Sequence, residues 1–141
     1  DVVPTDRAVL GFSNTWYVPA VASAQRITIA GVQARIVAPA YFLATKLEAF
    51  RTRGHADVVT SSDLEDIVMV VDGRPQLLAE IERADAAVRQ FIAAEIGALL
   101  DNRRFTDSLA GFLPQDRASQ QRRPLLEKRL RAIAALHRAL R

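Results

Sequence analysis

From Pro39 to the end of the chain, apolar side chains return every three or four positions, and Gly or Pro interrupts the pattern about once per helix length. That period makes amphipathic helices, and several in series can only bury their stripes against one another. Pro39 suits a first helical turn, and Ala40, Leu43, Leu47 and Phe50 form a stripe that Gly54 closes. Ser62-Asp63-Leu64-Glu65 has the form of a capping box, with Leu64, Ile67, Val68 and Val71 behind it and Gly73 as the stop. Leu77, Leu78 and Ile81 anchor a further segment, and Asp85 is a break or a cap. Val88, Phe91, Ile92, Ile96, Leu99 and Leu100 mark a strongly apolar helix, and Phe105 to Leu113 a short one ended by Gly111 and Pro114. The last helix begins between Gln115 and Pro124, which opens or kinks it, and its stripe is Leu126, Leu130, Ile133, His137 and Leu140.

The first 38 residues read differently. Pro4, Gly11, Asn14 and Pro19 punctuate them, so extended chain and turns are expected. Two β-branched runs, 26–30 and 32–38, meet at Ala30-Gly31 and predict a hairpin with Val32, Ala34, Ile36 and Ala38 on one face. Two strands alone are marginal, so a partner sheet or a helix should cover that face. The fold class expected is α+β, mainly α: a short N-terminal hairpin over residues 1–38, then a helical domain of five to six helices over residues 39–141.

Composition removes several chemistries. The 141 residues contain no cysteine, so disulfides, thiolate metal sites and cysteine nucleophiles are excluded, and the two histidines, His55 and His137, have no ligand spacing. No Gly-x-Gly-x-x-Gly, P-loop, His-Glu-x-x-His or Gly-x-Ser-x-Gly motif occurs. No apolar run nears the roughly 20 residues of a membrane span. Cytoplasm is the expected compartment. Half of the residues are hydrophobic, enough for a core. The net charge of +3 is uneven: +1 over residues 1–38, −4 over 39–100 and +6 over 101–141. A basic tail fits either a solvated helix face or a polyanion such as RNA, although it has no aromatic residue after Phe112 to stack on bases.

The residues best placed for chemistry lie on two consecutive helices: Lys46 and Arg51 on the first, Asp63 and Asp66 at the start of the second. Lys46 sits at the border of its apolar stripe, where its methylenes can lie on neighbours and its ammonium can reach a cleft rim. Asp63 and Asp66, three apart, share a side of their helix. Two readings stay open: an ion pair that locks the helices, or a phosphate-facing lysine beside carboxylates that hold a metal or poise an acceptor. His55, in a turn, is a weaker ligand or base; His137 continues an apolar stripe and reads as half-buried. Trp16, Phe91 and Phe105 read as core.

The stretch from Pro39 through Lys46, Ala49, Arg51, Arg53 and Gly54, followed by Ser61, Asp63 and Asp66, resembles the C-terminal half of the AbiEii-type nucleotidyltransferases. That family, similar in its palm to DNA polymerase β, supplies the toxin component of bacterial toxin–antitoxin and phage-defence systems. Its pattern is Lys-x-x-Ala-x-x-x-Arg, then Asp-x-x-Asp about a dozen residues later. Lys46, Ala49, Arg53, Asp63 and Asp66 fill it here, Arg51 being the alternative arginine, and Ser62 stands where the family often has a basic residue.

The resemblance implies several expectations. Residues 1–38 would complete a palm whose Gly-Ser and Asp-x-Asp part is not in this sequence, and Asp1 would be the third metal-binding carboxylate. Lys46, Arg51 and Arg53 would contact the nucleoside triphosphate, Asp66 would position or deprotonate the acceptor, and Asp63 would orient Lys46 or an arginine. Mg²⁺ and the triphosphate would be the cofactors of the whole enzyme, with tRNA a possible acceptor. The partners would be the missing half, a cognate antitoxin or a second copy. These 141 residues alone would be inactive. The reading from another class is a non-catalytic helical module that binds protein or RNA.

Overall fold

The structure, a computed structural model, describes residues 14–53 and 57–137. Among them a helix α1 (Tyr17–Ser23) precedes a hairpin of β1 (Gln25–Ile29) and β2 (Val32–Ile36). Seven helices follow: α2 (Pro39–Thr52), α3 (Ser62–Gly73), α4 (Leu77–Arg83), α5 (Ala86–Asp101), α6 (Arg103–Phe112), α7 (Arg117–Gln120) and α8 (Arg123–Ala135). The hairpin followed by helices is as expected, but seven helices replace the expected five to six. The additional one is the single turn α7, which the N-cap Asp116 holds by accepting from the Ser119 amide at 3.0 Å. Too short to show a period, it splits off the region from which one long helix was expected to start. Pro124 then lies in the first turn of α8, where it opens the helix.

Helix α1 occupies part of the segment expected to be extended. Asn14, buried, starts it: its side chain accepts from the Trp16 amide at 3.1 Å and donates to the Thr45 carbonyl at 2.9 Å. Pro19 falls in the first turn, where a missing N–H costs no helical hydrogen bond. Ala20 is buried, and Trp16 packs on Phe91 with ring centroids 5.0 Å apart. Contacts to distant helices thus override local punctuation. Trp16 and Phe91 are half-buried at the edge of the core, whereas Phe105 is fully inside it.

The core runs along the bundle through Leu43, Leu47, Leu64, Ile67, Ile92, Ile96, Leu126 and Leu130, all essentially inaccessible. Helix α5 lies along α8 and α2, and α3 is packed between α2 and α8. At about 25 cal/mol per Å² of apolar area, each fully buried leucine or isoleucine contributes roughly 1.5–3 kcal/mol. The expected stripes of α2, α3 and α5 are largely buried, but that of α8 stops short: His137 is exposed, in the turn beyond Ala135 where the helical period has lapsed. Leu140, Gly54 and His55 lie outside the described residues.

The hairpin turns through Ala30 and Gly31, both with positive φ (49° and 80°), the pairing that a two-residue turn of right-twisted strands requires. Its register sets Ile27 opposite Ala34 and Ile29 opposite Val32, with Gln25 opposite Ile36. Ile27, Ile29, Val32, Ala34 and Ile36 therefore share one face, and Ile29, Val32 and Ile36 on it are exposed. The other face places Arg26 opposite Arg35, a repulsive pair that Arg35 relieves by donating to the Val21 carbonyl at 2.7 Å. No described helix packs broadly on the hairpin.

Candidate functional site

The start of α3 brings the carboxylates to α2. Ser61 is the N-cap, in extended geometry, and its hydroxyl accepts from the Leu64 amide at 3.3 Å. This corrects the expected capping box by one residue: Ser62 is the first helical residue, so Glu65 cannot complete a box. Asp63 and Asp66 remain in the first turns of α3, where the partial positive charge of the helix N-terminus favours them. Both point across to α2, which is locked in position by Leu43, Leu47 and Phe50 beneath it.

Lys46 bridges them. Its Nζ lies 3.3 Å from Asp63 Oδ1 and 2.6 Å from Asp66 Oδ2, and the second oxygen of Asp63 accepts from Arg53 at 2.8 Å. Asp63 is the buried member, 6% exposed, against 28% for Lys46, 39% for Asp66 and 63% for Arg53. Burial of the Lys46 stem opposes its charge, but hydrogen bonds and attraction from Asp66 and Asp63 outweigh that, and its pKa is raised. The ammonium also lies 5.8 Å from the centre of the Phe42 ring. With three N–H donors, it keeps one beyond the two carboxylates.

The other expected site residues fall elsewhere. Arg51 turns to the far side of α2, where it donates to Glu48 at 2.7 Å, approaches Glu95 to 4.0 Å and stacks 5.5 Å from the Phe91 ring. Of the two candidate arginines, Arg53 joins the cluster. Asp1 lies outside the described residues. A cleft of about 230 Å³ opens beside the cluster, lined by Phe50, Arg53, Asp57, Thr60, Ser61 and Asp63 among others, below the ~300 Å³ at which small-molecule pockets begin.

Several polar partnerships escaped the sequence reading. Glu48 is buried in the middle of an apolar stripe and held by Arg51; the i, i+3 spacing was the available signal. Tyr41 donates to Asp85 at 2.7 Å, which ties α2 to the start of α5 and, with burial, raises the tyrosine pKa. In the basic tail, Arg122 takes the Asp72 carboxylate at 2.9 Å, and Arg129 donates to the Val71 carbonyl at 3.1 Å and to that of Asp72. These cations sit at the C-terminal end of α3, where the helix presents unpaired carbonyls. Two of the tail's ten cations are thus engaged at the end of α3, and only spatial proximity across 50 or more positions reveals it.

No group of three or more His, Cys, Asp or Glu side chains suited to a metal ion occurs among the described residues. Asp63 and Asp66 are already matched by two cations, Lys46 and Arg53, and Asp1, the carboxylate expected to bind metal, lies outside the described residues. No described helix is long and apolar enough to cross a membrane. The chain matches no protein-family model, no curated protein and no solved structure.

Proposed function

We propose that this chain forms the triphosphate- and acceptor-facing part of a nucleotidyltransferase, with the Gly-Ser and Asp-x-Asp elements supplied from outside these 141 residues. One observation carries the reading: Lys46 stands between Asp63 and Asp66, with Arg53 on the outer oxygen of Asp63. The four residues that fill the Lys…Arg…Asp-x-x-Asp pattern are one connected group. Support also comes from the hairpin, a two-stranded sheet among the described residues, whose strands each keep an edge at which a further strand can pair.

In this reading Asp63 holds Lys46 and Arg53 in place, and the remaining ammonium donor of Lys46 meets a phosphate oxygen. Arg53, the most exposed member, neutralises a second. Asp66 accepts a hydrogen bond from the acceptor hydroxyl, such as one of a tRNA end, and takes its proton as the oxygen bonds to the α-phosphorus. The bond from that phosphorus to the β-phosphate oxygen breaks, and pyrophosphate leaves. Cytoplasmic action beside an antitoxin would accord with the same reading.

The test is transfer of label from α-labelled nucleoside triphosphates to tRNA by protein that includes the Gly-Ser and Asp-x-Asp elements. Lys46→Ala and Asp66→Asn are expected to lower kcat by about 10²-fold or more, as for other groups that stabilise transition-state charge. Full activity in both variants, or robust transfer by the 141-residue chain alone, refutes the proposal.

A second reading, a non-catalytic interaction module, draws on the hairpin face alone: Ile29, Val32 and Ile36 could rest on a partner protein or a second copy. It predicts a stable complex whose formation Val32→Lys abolishes while Lys46→Ala leaves it intact.

A further inference from the structure

At the C-terminal end of α3, opposite the end that Lys46 holds, α8 and the α3–α4 junction line a narrow apolar pocket of about 180 Å³. Its walls are Val71, Pro75, Leu77, Leu78 and Ile133, and Leu125, 44% exposed, forms part of its mouth. The volume lies below the ~300 Å³ of a small-molecule site but suits one large side chain. Pockets of this kind, apolar inside with a polar rim, are where an interface residue anchors.

The rim is basic. Arg74, Lys128 and Arg129 line it. Arg74 is matched by Glu80, whose carboxylate it grips at 2.6 Å and 2.7 Å. Arg129 donates to the carbonyls of Val71 and Asp72, so no carboxylate neutralises it, and the Asp72 carboxylate is taken by Arg122. Lys128, exposed, has no ion-pair or hydrogen-bond partner among the described residues. One cation without a described partner, Lys128, and a guanidinium held by carbonyls rather than a carboxylate, Arg129, therefore flank the apolar pocket. This combination selects an occupant with an apolar anchor and negative charge beside it.

We infer that this pocket docks an acidic peptide segment of a partner protein, which inserts one large apolar side chain between Leu78 and Leu125 and sets its carboxylates against Lys128 and Arg129. The inference is independent of the nucleotidyltransferase reading. A peptide is favoured over a fatty acid because about 180 Å³ is too little space for a long acyl chain. It is favoured over a membrane because the apolar surface is recessed rather than raised.

The experiment is fluorescence anisotropy with a labelled synthetic peptide that carries one tryptophan between runs of glutamate, titrated with the protein. Controls are the same peptide with serine for tryptophan, one with lysines for glutamates, palmitate, and phosphatidylserine vesicles. Saturable binding of the first peptide alone is expected, weakened about tenfold or more by Lys128→Glu and by Ala132→Trp, which fills the pocket. Lys128 is a surface residue, so Lys128→Glu keeps the test decisive if Ala132→Trp fails to fold by circular dichroism. Methyl resonances of Val71, Leu78, Leu125 and Ile133 should shift on binding. Failure of the first peptide to bind, binding insensitive to Lys128→Glu, equal binding of the lysine or serine peptide, or capture of palmitate or vesicles instead each overturns the inference.

Discussion

Replacement of Asp63 by alanine probes the junction of α2 and α3 most directly. The carboxylate is buried and takes one hydrogen bond from Lys46 and one from Arg53. Buried hydrogen bonds to charged groups contribute about 1.5–3 kcal/mol each, but neither partner here is left stranded. Arg53, mostly exposed, returns to water, so its loss is that of a surface pair, about 0.5 kcal/mol. Lys46 keeps Asp66 at 2.6 Å and loses about 1 kcal/mol. The favourable position near the N-terminus of α3 adds about 0.5 kcal/mol. The expected loss is about 2 kcal/mol, or about 6 °C in Tm for a chain of this size.

Urea unfolding followed by circular dichroism at pH 7 measures that loss. Asp63→Asn, which keeps the volume and an acceptor oxygen, should lose about half as much, and the more exposed Asp66→Asn should lose less than about 1 kcal/mol. A loss below about 0.5 kcal/mol for Asp63→Ala would mean that the two hydrogen bonds do not form in solution. One above about 4 kcal/mol would mean that Lys46 is left as an uncompensated buried charge and that Asp66 does not hold it. Either result refutes the reasoning.

Arg129→Ala leaves the last carbonyls of α3 without their donor; a loss of about 1–2 kcal/mol is expected by the same unfolding assay, with Arg129→Lys recovering part of it. Lys46 and Tyr41 both have pKa values raised by folding, so the native state holds their protons longer than the unfolded chain does. The stability that they add is complete below their ordinary values, near pH 10, and is lost as pH rises through the raised ones. Unfolding free energy should therefore fall above about pH 10, and less steeply in Tyr41→Phe and Lys46→Met.

The helices that carry a stripe and a punctuating residue were legible: α2 with Pro39 in front, and α3 with its serine cap, although Ser61 rather than Ser62 proved to be that cap. Adjacent serines offer the same hydroxyl, and only the backbone angles choose between them. Helix α1 was not legible, because Asn14 and Trp16 are held by Thr45 and Phe91, far along the sequence. Within the candidate site, Asp63 and Asp66 facing Lys46 followed from spacing on two adjacent helices. The choice of Arg53 over Arg51 did not, since it depends on which side of α2 meets α3 and which meets α5. The role of the basic tail was hidden for the same reason: net charge says nothing of where Arg122 and Arg129 turn.

Helix α3 is gripped at both extremities by side chains from different parts of the sequence, Lys46 and Arg53 at one end and Arg122 and Arg129 at the other. It is a rod held at both tips as well as along its buried stripe. Between these ends Leu64, Ile67, Val68 and Val71 bind the shaft to the core, so the aim of the carboxylates is fixed along its whole length. The two grips, some eight residues of helix apart, thus set the register of α3 against α2 and α8.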